Sequence, residues 1–100
     1  MELDRTFNPV YGSGQTLSVT ATSQQVTFGQ RNFAVTLTNM GSKTCYVRIG
    51  TGTVTATTAD YPVLSGTQVS ISKSLDASVL AAVCGGADTT TLHIIAGEGI

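Results

Sequence analysis

Apolar and polar residues alternate at a period of two along most of this chain, which is the pattern of strands with one face turned inward. Leu17, Val19 and Ala21 alternate with Thr16, Ser18, Thr20 and Thr22, predicting a first strand. After the polar break Ser23-Gln24-Gln25, Val26 and Phe28 resume the alternation around Thr27, and Gly29-Gln30 closes a second, shorter one. A third is predicted over 32–38, with Phe33, Val35 and Leu37 on one face and Ala34, Thr36 and Thr38 on the other. The fourth carries Cys45, Val47 and Ile49 opposite Tyr46 and Arg48, and a slip of one residue would bury Arg48, so its register is well specified. Asn39-Met40-Gly41-Ser42 lies between the third and fourth runs; its residues tolerate positive φ or form side-chain turns, so the two runs read as a hairpin.

The second half continues in the same vein. Gly50-Thr51-Gly52 turns the chain, and 53–58 is a weak strand or extended loop in which only Val54 and Ala56 can point inward. Asp60-Tyr61-Pro62 reads as loop, because the residue before a proline avoids the helical region, and Val63-Leu64 would anchor the return to the core. Val69 and Ile71 alternate with Gln68, Ser70 and Ser72. The run 79–84, VLAAVC, is continuously apolar and suits either a strand covered on both faces or a short helix; Gly85-Gly86 stops it. In the last strand, over 89–96, Leu92, Ile94 and Ala96 face opposite to Thr91, His93 and Ile95. Seven to eight short strands with Gly, Asn and Ser turns and no convincing amphipathic helix predict an all-β fold, an antiparallel β-sandwich or barrel. Pro9 and Gly12-Ser13-Gly14 break any period before it, so residues 1–14, with Leu3, Phe7, Val10 and Tyr11, read as an extended arm that folds back or docks on a neighbour, and 15–100 as one sandwich domain.

Composition sharpens the picture. Only 11% of the 100 residues are charged, against about 25% in ordinary proteins, and about a quarter are Ser or Thr. Five basic against six acidic residues leave a net charge of -1, which offers nucleic acid no cationic footprint. The start has no basic segment leading into an apolar run, and no stretch of roughly 18 apolar residues could span a bilayer, so a protein made in the cytoplasm and independent of membranes is expected. Cys45 and Cys84 are too few for a disulfide scaffold or the paired spacing of a zinc site; two packed thiols are expected, with a single bridge as the alternative.

Candidate chemistry is sparse. His93 is the sole histidine, and its strand parity sets it beside Thr91 and Ile95 rather than beside an acid and a nucleophile. The acids Glu2, Asp4, Asp60, Asp76, Asp88 and Glu98 are scattered, mainly in turns, where Asp commonly bonds its own backbone. The glycines of IGTGT and AGEGI lack the following helix and lysine of a phosphate loop. No enzyme, no cofactor and no metal are expected. Surface contacts are the remaining candidates: Phe7, Val10 and Tyr11 in the arm, Tyr46 and Arg48 opposite the core face, and Tyr61 beside Pro62. So few charges also leave sheet edges without the lysines that usually guard them.

The run TLTNMGSKTCYVRIGTGTVTATTADYPVLSGTQVSI, followed by HIIAGEGI, resembles small virion proteins of tailed bacteriophages: a strand, an Asn-x-Gly turn, a YVR-x-G strand, a TAT segment and a P-V-L-x-G turn occur in that order, over about 34–100. The resemblance implies a head decoration, or cement, protein. Such a protein is a jelly-roll sandwich on the capsid surface of the virion, where it bridges neighbouring major capsid protein subunits as a homodimer or homotrimer. The shared positions are structural glycines and buried apolar residues, so no residue-level role is carried over. A second reading, common among β-sandwiches, is a head- or tail-attached module that recognises a host glycan or protein. It expects an aromatic-lined groove, and the chain has three Tyr, three Phe and no Trp.

Overall fold

The computed structural model describes residues 8–9, 11–27, 34–73 and 76–98. Nine strands form among them, with no helix: β1 (Asn8–Pro9), β2 (Gln15–Val19), β3 (Gln24–Thr27), β4 (Ala34–Asn39), β5 (Cys45–Gly50), β6 (Tyr61–Val63), β7 (Gln68–Ser72), β8 (Val79–Cys84) and β9 (Thr90–Glu98). They make two antiparallel sheets packed face to face, a β-sandwich. In the first sheet β9 lies between β4 and the successive strands β2 and β1, and β7 lies outside β4; the second runs β3-β8-β5-β6.

The pairings are nested. β2 pairs with β9, β3 with β8, β4 with β7 and β5 with β6, so the chain is a long antiparallel hairpin wrapped into two layers. Lateral pairs β4–β9 and β5–β8 close each sheet. Leu17 and Val19, Val35 and Leu37, Cys45 and Val47, Leu80 and Ala82, and Leu92 and Ile94 meet between the layers as one core. Every half-buried strand thus presents the face its alternation predicts, because only that register buries the apolar set.

Nesting overturns the expected hairpin at Asn39-Met40-Gly41-Ser42. β4 belongs to the first sheet and β5 to the second, so these residues form an arch between layers. The tight primed turns of hairpins need positive φ, and here that conformation occurs at Gly12, Gly52, Gly66 and Gly86, not at Gly41. What shapes the arch is Asn39, buried to 1% exposure. Its Nδ2 donates to the carbonyls of Lys43 (2.8 Å) and Val63 (2.9 Å), while its Oδ1 accepts from the Gly41 amide (3.1 Å) and the Thr90 hydroxyl (2.7 Å). One amide side chain therefore joins β9 of one sheet to β6 of the other. A Cβ on Gly41 would lie 2.9 Å from the Cα of Thr90 and overlap its hydroxyl, which is why glycine follows at this point of the arch.

Other expectations are corrected or narrowed to one of their alternatives. Ala21 is exposed in a bend after β2, because the chain must turn there to reach the other sheet. The segment 53–58 forms no strand. Tyr61 and Pro62 belong to a strand, not a loop; β6 is an edge strand, and an edge tolerates a proline that cannot donate. Of the pair expected to anchor the return, Val63 is buried and Leu64 is more than half exposed. The helical alternative for 79–84 is excluded, since all six residues form the central strand β8, buried on both faces. Leu80, Ala82 and Cys84 enter the main core, whereas Ala81 and Val83 lie beneath Ala56 with Val54 and Tyr46 in a smaller cluster on the outer side. Cys45 and Cys84 are free and buried. Within the segment expected as an arm, Asn8 and Pro9 pair with Glu98 and Gly97; Phe7, Phe28 and Phe33 lie outside the described residues.

Candidate interaction surface

The outer side of the second sheet is covered by the loop 53–60, and its hydrogen bonds show how a stretch of small residues stays there. The Val54 amide donates to Gln25 Oε1 at 3.0 Å and the Ala56 amide to Ser23 Oγ at 2.8 Å, which fastens the loop on the β3 side. On the β5 side Arg48 reaches Asp60, with Nε at 3.0 Å and Nη2 at 2.9 Å from Oδ1. The other carboxylate oxygen accepts the Thr57 amide at 2.7 Å. That amide bond, more than the guanidinium, holds the Asp60 carboxyl below its ordinary value, against a smaller opposing effect of desolvation. Arg48 is therefore half engaged: its side chain is 55% exposed while clamping the loop. Tyr46, its neighbour on the same face, is half-buried against Val54 and Ala56.

Tyr61 is 51% exposed on the edge strand β6, and Tyr11, in the turn after β1, is 85% exposed. Val10, like Phe7, lies outside the described residues. The structure brings Tyr46, Arg48 and Tyr61 onto one sheet, whereas Tyr11 lies in the turn between β1 and β2, which both pair with β9 of the other. Two exposed apolar side chains escaped the sequence reading. Met40 and Leu64 project from adjoining loops, tied by the Ser65 hydroxyl donating to the Gly41 carbonyl (2.9 Å) and the Gly66 amide to the Asn39 carbonyl (3.0 Å). In the sequence Met40 reads only as part of a turn and Leu64, beside Val63, as a core anchor, so neither stands out as an exposed apolar residue.

The two sides of the sandwich differ. At the β2–β3 side the sheets are drawn together: Gln15 Nε2 donates to the Thr27 carbonyl at 2.8 Å, and the Cys84 amide to the Thr20 carbonyl at 2.8 Å. At the β6–β7 side a groove of about 300 Å³ opens between the layers, lined by Val47 and Ile49 of β5, Tyr61, Ile71 and Ser72 of β7, Lys73 and Ala77. β6 is capped as an edge by Pro62, but β7 is not: its sequence is Gln-Val-Ser-Ile-Ser, and among the described residues no strand pairs with its outer side.

His93 lies on the outer face of the first sheet, half-buried, with its imidazole so close to Gly14 that a Cβ there would sit 2.9 Å from it. Among the described residues no three His, Cys, Asp or Glu converge as metal ligands would. Comparison with known protein families and with characterised proteins returns no match.

Proposed function

We propose that this domain is a structural component of a phage virion, which adheres to the outer surface of a capsid and ties neighbouring major capsid subunits together. The observation that carries the reading is the edge of β7, whose own five residues bear no charge and whose outer side no strand pairs with among the described residues, beside a groove that is mainly apolar with Lys73 at its rim. A monomer ordinarily guards such an edge with charge, proline or a covering segment; a strand and an apolar side chain from a neighbouring subunit would complete both at once. The nested strand order, 2-9-4-7 against 3-8-5-6, supports a jelly roll, a wrapping that recurs in viral capsid domains. The resemblance of about 34–100 to small tailed-phage virion proteins points the same way.

In this reading the protein acts by shape and repetition. Each contact is modest, but a homodimer or homotrimer that touches several capsid subunits gains effective concentration with every additional site. A shell stretched by packed DNA is thereby clamped at many points. The low charge fits a partner that is protein and not nucleic acid.

The test is sedimentation of the purified protein with shells assembled without it. Saturable binding together with a higher melting temperature of the shell is the expected result. Failure to co-sediment, or binding that leaves shell stability unchanged, overturns the proposal; the latter outcome, with binding to host glycan or protein, would favour a recognition module.

A further inference from the structure

Cys45 and Cys84 are directly opposite one another across β5 and β8. The Cys84 amide donates to the Thr20 carbonyl, on the side of β8 away from β5, so the two cysteines form a non-hydrogen-bonded pair. In such pairs the Cα atoms approach to about 4.5 Å and the side chains are at their closest. A disulfide spans Cα separations of about 4.4 to 6.8 Å. Both side chains point into the same core, at 0% and 2% exposure. Around them the polar company is slight: Asn39 Nδ2 is 3.9 Å from the Cys45 sulfur, and the Cys84 sulfur is 3.8 Å from the Val19 carbonyl oxygen.

We propose that Cys45 and Cys84 are a disulfide site whose redox state is fixed when the chain folds: the bridge forms if the chain meets a small-molecule disulfide before the sandwich closes, and the closed sandwich then preserves whichever state it has. Two exchanges accomplish the oxidation. One cysteine thiolate attacks the small disulfide, forming a mixed disulfide and releasing one small thiolate. The second cysteine thiolate attacks the protein sulfur of that mixed disulfide, forming the Cys45–Cys84 bond and releasing the other. The protein loses two electrons and two protons, which end on two small thiols.

Closure of the folded state has two physical sources. No reagent reaches sulfurs buried beneath both sheets, and β8, with a strand on each side, cannot peel away without opening the second sheet. Burial, with the neighbouring Cys84 adding to it, also raises the Cys45 thiol to about 11, so the nucleophilic thiolate is scarce in the folded protein. In the unfolded chain both thiols titrate near about 8.5 and react freely.

The experiment compares two samples in one glutathione redox buffer: reduced protein diluted from urea, and reduced protein already folded. Each is denatured and alkylated at intervals, then read by intact mass and peptide mapping. The refolding sample is expected to yield a bridged monomer with native circular dichroism and a melting temperature higher by on the order of 10 °C. The folded sample is expected to keep two alkylatable thiols on the timescale of global unfolding, and Ile94→Val, a mild core truncation, to shorten that time in step with its faster unfolding. A bridged chain without the native spectrum, a preponderance of mixed disulfides or cross-linked dimers, or oxidation of the folded protein as fast as the unfolded one would each overturn the proposal.

Discussion

The hydroxyl of Thr90, at the start of β9, donates a 2.7 Å hydrogen bond to the buried side-chain oxygen of Asn39, at the end of β4. Because the same amide also holds Lys43 and Val63 through its nitrogen, this contact belongs to a network that spans both layers. Asn39→Ala leaves two carbonyls, an amide and a hydroxyl without their partner, and should cost about 3 kcal/mol or more in urea denaturation. Thr90→Val removes a single donor and should cost about 1–2 kcal/mol. Since the two residues share one bond, the double variant should fall short of the sum by about 1 kcal/mol. Additive losses would show that the bond contributes nothing of its own.

Gly41 is confined by sterics alone. Its φ is not in the left-handed region, so alanine would suit its backbone, yet the added methyl collides with Thr90. Gly41→Ala should therefore destabilise by about 1–3 kcal/mol, and Gly41→Ala combined with Thr90→Ser should recover little, because the Cα of Thr90 is part of the obstacle at 2.9 Å. Thermal unfolding monitored by circular dichroism measures both.

Asp60 makes the covering loop sensitive to acid. Its folded pKa is depressed by the Thr57 amide first and by Arg48, so its contribution is complete above the unfolded carboxyl value of about 3.9 and is lost as pH falls through the lower folded value. The protection of the Thr57 amide, measured against its intrinsic exchange rate, should fall as pH drops from the unfolded carboxyl value towards the lower folded one, while that of β8 persists. In Asp60→Asn the Thr57 amide should exchange faster at neutral pH, and the acid step should vanish.

The edge of β7 gives a test that separates adhesion from folding. Ser72 is exposed at the end of that strand, so Ser72→Lys should alter stability by less than about 0.5 kcal/mol. On shells, the same change should reduce occupancy several-fold, since it places a charge where a partner strand would have to pair. Unchanged occupancy would move the contact to another face, with Tyr11 or the Met40–Leu64 pair as the next positions to change.

The strand faces were legible because each depended on a local rule. Cys45, Val47 and Ile49, or Leu92, Ile94 and Ala96, alternate with polar residues, and a buried face enforces that parity whatever the strand's neighbour. Partners were not legible. Nothing local distinguishes an Asn39-Gly41 hairpin from an arch, because the deciding bonds come from Val63 and Thr90, 24 and 51 residues away. The second, outer cluster was hidden for a related reason: Ala56 reads as a weak strand position until Ala81 and Val83 are beneath it. Of the contact candidates, Tyr11 and Tyr61 are exposed, while Tyr46 and Arg48 spend part of their surface on the chain's own loop.

Nested pairing also governs the order in which the fold can be completed during synthesis. β2 emerges from the ribosome early but must wait for β9, and β3 for β8, so the first strands made are among the last to find their neighbours. β5 with β6, then β4 with β7, and then β8 with β3 and β5 can pair before β9 is made. A nascent chain halted between β8 and β9 would expose β2 and the inner flank of β4 together, which makes a pause at that point hazardous.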